Sequence, residues 1–467
     1  MSKIKSLVLG SAAAIVAIGG AQAADLPVKA KAVEYVKVCS LYGAGFYYIP
    51  GTDTCIRIGG YLRAEVTVGG NASDNTFQNG DSALGLRTGN QYQTRGRIMV
   101  NIDTRTATEY GVVRTFGAFG PQFTSATSNT PGAPDTQGNG GMRVEAAFVQ
   151  FAGFTFGRSA SAYALPWNGA PGNINSGLMG GPNYDAGVNN IQYTWQFGNG
   201  ISASVGVDGQ EQANRTGLAL GAFTLATGAY TNAYVAPNSV DVVGNIRLDQ
   251  AWGLLQFSAA AHQVDASYYI PATATSGHPG DKWGFAVTGA LQLKNLPTGP
   301  GDDIKISGTY TEGALRYVLG QSGATPLNFN MVDGSSIVAL PVADGVYSAT
   351  PGSAIQLTKA YGLNGAFNHN WNRNWSSSIF GSYTHVDYNG TASFTLCGAG
   401  CNPDFNVSQL GLSTTWKPVK DLAFIAEGSW IHIDQNMTGA AIVSAGRTFT
   451  YGDVDRFSGI FRVQRNF

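Results

Sequence analysis

The sequence predicts an all-β protein, a transmembrane antiparallel β-barrel of about 16 strands. Apolar and polar residues alternate with a period of two along many short segments, as in strands that have one apolar and one polar face. Charged residues make up 12% of the 467 residues, about half of the roughly 25% found in soluble domains. Short turns alternate with long loops rich in Gly, Ser, Asn and Pro, which is typical of barrels that span a membrane.

The composition argues against several other classes of protein. A nucleic-acid-binding protein needs a basic excess, whereas this chain has 28 Lys+Arg and 29 Asp+Glu. A disordered chain has few aromatic residues, but Phe, Trp and Tyr make up 11% here. The sequence has no apolar stretch long enough to cross a bilayer as a helix. A soluble β-sandwich of this length would divide into domains joined by linkers, and no such linker is recognisable.

The segment 56–68 shows the alternation most clearly. Its even positions, such as Ile58 and Leu62, are apolar, while odd positions such as Arg63 and Glu65 are polar. We expect the apolar set to face lipid and the polar set to face the interior, which about sixteen strands leave open as an aqueous channel. The third, fourth and thirteenth segments alternate poorly, so fourteen or eighteen strands remain alternatives. The predicted strands are 55–68, 92–106, 108–119, 142–151, 153–159, 188–197, 200–208, 240–249, 252–264, 283–294, 302–312, 356–369, 373–388, 404–417, 421–433 and 453–467.

The N-terminus has the features of a secretory signal. Lys3 and Lys5 precede an apolar stretch at 7–18, and Ala21-Gln22-Ala23 supplies small residues for cleavage. An uncleaved anchor is the alternative. We therefore predict three parts: a signal peptide at 1–23, an N-terminal periplasmic segment at 24–54 and a transmembrane barrel at 55–467.

The four cysteines form two pairs that are close in sequence, Cys39 with Cys55 and Cys397 with Cys401. Export places the chain where disulfides persist, so we expect both pairs to be bridged. Free or metal-binding thiols are the alternative, but the spacing lacks a Cys-x-x-Cys motif and the five histidines are scattered. We expect no metal site and no cofactor.

The polar face of the predicted strands is rich in arginine. If the first two strands pair so that opposite residue numbers sum to about 160, Arg63 lies opposite Arg97, Glu65 opposite Arg95, and Arg57 opposite Asp103. We then expect a positive cluster on one wall, which a water-filled interior accommodates more easily than a packed core. The alternative is that these arginines are structural and stabilise one another through Glu65. The predicted inward set comprises Arg57, Arg63, Glu65, Arg95, Arg97, Asp103, Arg105, Gln192, Gln196, Arg247, Asp249, Gln256, Lys305, Arg462 and Gln464.

Three segments resemble those of known proteins. The final strand is amphipathic and ends in Phe467, which resembles the terminal strand of bacterial outer-membrane barrels. The segment 39–63, CSLYGAGFYYIPGTDTCIRIGGYLR, resembles the opening of general porins from alphaproteobacteria, and the strand that ends Phe154-Thr-Phe-Gly-Arg158 is consistent with that likeness. The resemblance implies a porin of the bacterial outer membrane, surrounded by its lipid, which forms a water-filled channel for passive diffusion of small hydrophilic solutes and ions.

The resemblance also implies an inward-folded loop and a homotrimer. The loop at 159–187 would narrow the channel, which makes Tyr163, Trp167 and Asp185 candidate constriction residues facing the arginines. Asp185 is the only acidic residue of this loop, so either the negative side of the constriction is weak or its acids come from elsewhere, such as Glu65 or Glu145. With Arg63, Glu65, Arg95, Arg97, Asp103 and Arg105 as candidate pore-lining residues on the wall, we expect weak selectivity with a mild anion preference.

Three alternatives come from other classes or from a narrower function. An outer-membrane enzyme would need a nucleophile and a base, but the sequence contains no Gly-x-Ser-x-Gly or His-Glu-x-x-His motif. A plugged barrel that acts as an adhesin would conduct no ions. A channel specific for a sugar or an anion would show saturable flux. We expect no catalytic activity and no nucleic-acid partner.

Overall fold

The structure, a computed structural model, describes residues 37–69, 92–125, 141–210, 215–320, 327–439, 441–444 and 446–467. The chain divides into two compact units, Met1–Cys55 and Ile56–Phe467. The predicted signal peptide at 1–23 lies outside the described residues. Within the described ranges, no helix combines the length and the apolar character that crossing a membrane requires.

The described part of the first unit is small and held by a disulfide. It contains a 3-10 helix, Ser40–Tyr42, and a short strand, Tyr47–Tyr48. The predicted bridge between Cys39 and Cys55 is present, and Phe46 is buried with both sulfurs. A bridge that spans a sequence separation of 16 residues stabilises a fold by about 3 kcal/mol in the chain-entropy model.

Sixteen strands in the described ranges form a closed antiparallel barrel. Each strand pairs with the next, and the last pairs with the first, with Tyr61 opposite Asn466 and Val68 opposite Gly459. The strands are β1 (Thr54–Val68), β2 (Tyr92–Thr108), β3 (Gly111–Thr124), β4 (Gly141–Phe151), β5 (Phe154–Ser159), β6 (Val188–Gly198), β7 (Ile201–Gly209), β8 (Val240–Gln250), β9 (Gly253–Val264), β10 (Lys282–Lys294), β11 (Asp303–Glu312), β12 (Lys359–Asn370), β13 (Trp375–Asp387), β14 (Phe405–Val419), β15 (Leu422–Gln435) and β16 (Val454–Asn466).

The predicted barrel and its strand number are confirmed, and most strand ends agree within a few residues. The largest difference is in β3, which was predicted at 108–119 and spans Gly111–Thr124. A register shift between Ala118 and Phe119 leaves Glu145 of β4 without an opposite residue. Such a bulge changes the phase of the alternation, which is why the sequence pattern is weak in these two strands.

The outer face of the barrel is apolar. Ile58 and Leu62 of β1 are 64% and 55% exposed in the isolated chain, as expected for side chains that face lipid. Trp375 and Trp416 stack near the short-turn end with ring centroids 5.7 Å apart, and Tyr361 lies near the long-loop end. Aromatic residues at both borders of an apolar band are typical of outer-membrane barrels.

Several long loops fold together into what we call the loop cap, residues 217–232, 328–357, 390–397 and 441–451. It contains two four-stranded sheets and one helix, α1 (Gly390–Cys397). Asn389 caps α1 by accepting hydrogen bonds from the N–H groups of Thr391 and Ala392, and the predicted disulfide between Cys397 and Cys401 is present. The first sheet comprises Gly217–Leu220, Thr231–Asn232, Ala343–Tyr347 and Gln356–Leu357, and the second comprises Asn328–Asp333, Ser336–Pro341, Ala441–Ser444 and Arg447–Tyr451. Two further 3-10 helices, Ala274–Ser276 and Leu315–Tyr317, lie in other loops.

The loop cap has a hydrophobic core that includes Phe329, Leu340, Leu396 and Phe449. This core continues onto the inner face of β13–β16 at the long-loop end, where Val386, Phe405, Val407, Ile431, Ile433 and Val454 are buried in the same cluster.

Candidate functional site

The alternation of β1 and β2 places a buried carboxylate among arginines on the inner wall. Arg95 Nη1 lies 3.1 Å from Glu65 Oε1, and Arg462 Nε of β16 donates to Glu65 Oε2 at 2.7 Å. The Glu65 side chain has no exposed surface. This carboxylate therefore connects three neighbouring strands, β2, β1 and β16, by ion pairs.

A second carboxylate, Glu145, holds the next part of the wall. Arg97 Nη1 lies 3.0 Å from Glu145 Oε1, and Arg143 Nε donates to the same oxygen at 3.1 Å. Arg97 Nε also donates to Gln122 Oε1 at 2.9 Å. Arg63, predicted to lie in this cluster, donates to Gln464 Oε1 at 3.0 Å. Because these groups fix the guanidinium planes, the positive charges are held in place on one side of the interior.

We call this set the arginine wall. Its two carboxylates neutralise two of its five guanidinium groups, so the wall carries a net positive charge. The wall comprises Arg63, Glu65, Arg95, Arg97, Arg143, Glu145 and Arg462.

A second cluster lies on β1, β2 and β3, closer to the short turns. Arg105 Nη2 and Arg114 Nε lie 3.1 and 3.0 Å from the carboxylate of Asp103, and Arg57 Nη2 lies 3.7 Å from it. Asp103 is 2% exposed, whereas Arg57 is 48% exposed. One buried carboxylate thus holds three arginines, and the positive face of the interior extends toward the short-turn end. The expected contacts of Glu65 with Arg95 and of Arg57 with Asp103 both occur.

The loop at 160–187, which we call the inward loop, lies against the inner face of the opposite wall. Its backbone carbonyls accept hydrogen bonds from side chains on successive strands, so the barrel holds it along its length. These contacts join Asn245 of β8 to Ala162, Gln256 of β9 to Ala164, Lys305 of β11 to Pro171, Asn364 of β12 to Met179 and Gln409 of β14 to Gly177.

The tip of the inward loop is held by Glu427 of β15. This carboxylate accepts hydrogen bonds from Ile174 N at 2.6 Å and from Asn175 N at 3.0 Å, and from Asn175 Nδ2 at 2.6 Å. Arg462 donates from Nη2 to Ile174 O at 3.2 Å. The tip is therefore attached to the same arginine that belongs to the arginine wall.

The aromatic residues predicted for the constriction do not face the arginine wall. Tyr163 is fully buried, its hydroxyl exchanges a 2.7 Å hydrogen bond with Thr288, and its ring contacts Tyr317 at 4.6 Å. Burial raises the pKa of the Tyr163 hydroxyl, which keeps it neutral. Trp167 packs in a small apolar cluster against β9 and β10, whereas Asp185 is exposed. The two rings therefore anchor the inward loop to the barrel, because their apolar area is better buried against the wall than left in water.

A profile of a porin subfamily matches residues 25–460, nearly the whole chain. The chain belongs to the porin family. Porin Omp2b of Brucella abortus is 34% identical over 255 residues, which cover 54% of this chain and 63% of that porin. Porin Omp2b of Brucella canis is 35% identical with the same coverage. The matched part thus spans slightly less than two thirds of these relatives.

A solved structure supports the same fold. The outer membrane channel DcaP of Acinetobacter baumannii superposes with a TM-score of 0.58 at 16% identity, covering 90% of this chain and 99% of that chain. Family membership and the barrel together place this porin in the bacterial outer membrane.

The sequence analysis did not assign some charged residues of this porin to the interior surface. Arg114 and Arg143 lie on β3 and β4, where the bulge beside Glu145 breaks the alternation. Glu427 was missed because its partners are backbone N–H groups of the inward loop, and a sequence gives no signal for such a contact. The sequence signal that could have identified these residues is the presence of a charged side chain in an otherwise apolar strand.

The mouth of this porin is partly filled. On β13–β16 the inner face at the long-loop end carries Val386, Val407 and Ile431, all buried in the core of the loop cap. These apolar side chains offer no polar group to a solute, and the charged surface described above lies on β1–β4 together with Arg462 of β16.

Proposed function

We propose that this porin forms a water-filled channel through which small hydrophilic solutes and ions diffuse passively, with weak selectivity and a mild preference for anions. The observation that carries the proposal is the arginine wall, with five guanidinium groups and two carboxylates on the interior surface. The inward loop on the opposite side contributes one acid, Asp185.

The preference for anions follows from electrostatics. An ion in a narrow pore loses part of its hydration, and polar groups of the wall replace it. A wall with net positive charge between low-dielectric surfaces concentrates anions locally. Because Glu65 and Glu145 cancel part of the charge, and because salt screens the remainder over about 10 Å at 0.1 M, the preference is mild.

Reversal potentials across planar bilayers test this proposal. Under a KCl gradient, we expect the purified porin to give a reversal potential whose sign shows that chloride passes more readily than potassium. Arg95→Ala combined with Arg97→Ala shifts the potential toward cations. Lys359→Ala, which removes a positive charge from the outer face of β12, is the control and leaves the potential unchanged. Strong cation selectivity of the unmodified porin contradicts the proposal.

A plugged barrel is a second candidate, because the loop cap fills part of the mouth. Single-channel recordings separate the two, since an open porin gives stepwise currents and a plugged barrel gives none. Saturation of the flux of one sugar or anion would instead indicate a substrate-specific channel.

We also propose that the porin is exported with removal of residues 1–23 and assembles as a homotrimer in outer-membrane lipid. Family membership supports both statements. Mass spectrometry of the intact protein tests the cleavage, and the expected mass is that of a chain that starts at Ala24. A band that runs at the size of a trimer until the sample is boiled tests the assembly.

A further inference from the structure

Two phenylalanines lie on the inner face of the barrel, where the alternation places mostly polar residues. Phe116 of β3 and Phe148 of β4 are directly opposite each other, and their rings stack with centroids 5.3 Å apart. Phe116 also lies opposite Asp103 of β2, on the interior surface. Both rings remain partly exposed. An aromatic ring gains more from contact with lipid than from contact with water, so the barrel architecture alone does not account for this pair.

Arg114 holds the two rings from one side. Its Cζ lies 5.2 Å from the ring centroid of Phe116 and 5.5 Å from that of Phe148, which is within the range of a cation–π contact. Gln150 accepts a hydrogen bond from Arg114 Nη1 at 2.9 Å, and Asp103 accepts from Nε and Nη2. Each nitrogen of this guanidinium thus has a protein partner. Arg114 and the two rings therefore form a fixed platform.

Two further arginines lie beside the aromatic pair. Arg57 Nη2 and Arg105 Nη2 are 3.7 and 3.1 Å from the carboxylate of Asp103, the residue opposite Phe116. The side chain of Arg57 is 48% exposed and that of Arg105 is 27% exposed. Because neighbouring strands are about 4.8 Å apart, exposed guanidinium groups and exposed rings adjoin each other. One carboxylate among three arginines leaves this surface positive.

We propose that the aromatic pair and its arginines form a binding subsite inside the channel for aromatic carboxylates such as benzoate. The ring of the ligand packs against Phe116 and Phe148, and its carboxylate binds Arg57 and Arg105. Offset and edge-to-face contacts between rings are favourable, and arginine binds carboxylates through paired hydrogen bonds. A ligand that carries its charge directly on its ring matches rings and guanidinium groups that lie on neighbouring strands.

The inference rests on the proposed channel function and assigns a class of solute to it. The subsite shares β1–β4 with the arginine wall but lies nearer the short turns, so a solute that crosses the channel passes both. Transient binding at the subsite makes the flux of an aromatic carboxylate saturable. It also lets such a ligand reduce the current that other ions carry.

Single-channel recordings in KCl test the subsite with three ligands added from the short-turn side. Benzoate carries both the ring and the charge, cyclohexanecarboxylate has the same charge on a saturated ring, and benzyl alcohol has the ring without the charge. The quantity measured is the ligand concentration that halves the current. We expect this concentration to be lowest for benzoate, about fivefold below that for cyclohexanecarboxylate, as a ring-to-ring contact provides.

Removing the rings tests the aromatic half of the subsite. Phe116→Leu with Phe148→Leu keeps an apolar surface, so the half-blocking concentration of benzoate should rise about fivefold while that of cyclohexanecarboxylate stays the same. The matched control is Phe154→Leu with Phe156→Leu on β5. These two rings also stack, with centroids 5.6 Å apart, but are exposed on the outer face. The heat-modified gel shift shows that each variant is folded.

Arg57→Gln tests the charged half. The half-blocking concentrations of both carboxylates should rise about threefold, the change expected for one exposed ionic contact, whereas that of benzyl alcohol should not change. Lys359→Gln, which removes one positive charge from an exposed position on the outer face of β12, is the control and should leave all three concentrations unchanged.

Saturation-transfer NMR of benzoate with the purified porin in detergent measures binding without a current. The variant with both Phe116→Leu and Phe148→Leu provides the background from benzoate in micelles. Stronger transfer to the ring protons in the unmodified porin than in this variant supports the subsite, and equal transfer overturns it. Absence of stepwise currents would reject the proposed channel, and this measurement then still decides the subsite.

Three results of the recordings would overturn the inference. Equal half-blocking concentrations of benzoate and cyclohexanecarboxylate, or of benzoate in the two double variants, show that the rings are structural. Equal block by benzyl alcohol and benzoate shows that the site does not recognise a carboxylate. Block by glucose at the concentrations at which benzoate blocks assigns the rings to sugars.

Discussion

Arg462 on β16 donates a 2.7 Å hydrogen bond to Glu65 on β1, so a buried ion pair spans the closure between the last and first strands of the barrel. The same guanidinium donates to Ile174 O at the tip of the inward loop. One side chain therefore links the closure of the barrel, the arginine wall and the tip of the inward loop. Changes in this pair should affect stability and ion selectivity together.

Glu65→Gln tests this coupling. The substitution keeps the shape of the side chain but removes the charge that holds Arg95 and Arg462. Leaving two largely buried guanidinium groups without their counter-ion should lower the free energy of unfolding by about 3 kcal/mol. The reversal potential should move toward stronger anion preference. Unfolding in guanidinium chloride measures the change in stability, and recordings in planar bilayers measure the change in reversal potential.

Glu145→Gln is the matched comparison for Glu65→Gln. Glu145 is 22% exposed and its partner Arg143 is 29% exposed, whereas Arg97 is 5% exposed, so one of its two arginines retains contact with water when the charge is lost. We expect a similar shift of the reversal potential with a smaller loss of stability. If both substitutions lower the free energy of unfolding by the same amount, the burial of Glu65 does not determine the size of the loss.

Glu427→Ala should loosen the tip of the inward loop. It removes the acceptor for three hydrogen bonds from Ile174 and Asn175, and with them the attachment of the tip to β15. We expect noisier single-channel currents and a larger mean conductance. Glu427→Gln retains one carbonyl acceptor and should give an intermediate effect. Glu312→Ala, on the outer face, is the control. If the Glu427→Ala and Glu312→Ala variants give the same single-channel currents, Glu427 does not position the loop tip.

The barrel could be predicted from the sequence because each strand separates lipid from water. Residues such as Leu62 and Arg63 face opposite media, so a period of two is visible in single strands. The contacts of Glu65 with Arg95 and of Arg57 with Asp103 followed from a simple pairing of the first two strands. These features depend on local alternation and on one short-range pairing.

The remaining features depend on contacts between distant segments. Ile431 and Ile433 face inward and are as apolar as lipid-facing residues, because the loop cap covers them. Their burial therefore cannot be read from alternation. Tyr163 was expected beside the arginines, but its position is set by Thr288 and Tyr317, which are more than a hundred residues away.

The loop cap gives a prediction about the mouth of the channel. Replacing residues 328–341, the hairpin of Asn328–Asp333 and Ser336–Pro341, with a short Gly-Ser linker removes Phe329 and Leu340 from its core. We expect higher single-channel conductance because the hairpin no longer occupies space near β13–β16. The heat-modified gel shift shows that the barrel remains folded. Unchanged conductance of a folded variant would mean that the hairpin lies outside the path of the ions.

The turn at 295–302 gives a prediction about acid stability. Asp302 accepts hydrogen bonds from Thr298 Oγ1 at 2.6 Å and from Asn370 N at 2.8 Å, and it pairs with His369 Nδ1 at 2.6 Å. The Thr298 hydroxyl first, and then the Asn370 N–H and His369, lower the pKa of Asp302 to about 2. The carboxyl of an unfolded chain has a pKa of about 3.9, so the unfolded state binds more protons between these values.

This contribution to stability is therefore fully present above about pH 4 and is lost as the pH falls through about 2. Asp302→Asn removes it. The difference in unfolding free energy between the unmodified porin and this variant should be largest at pH 5 and should shrink toward pH 2. Unfolding curves at pH 5, 4, 3 and 2 measure it. Asp421→Asn, at an exposed acid of another short turn, corrects for the loss of one negative charge. A difference that stays constant across this range would show that the contacts of Asp302 do not favour its ionised form.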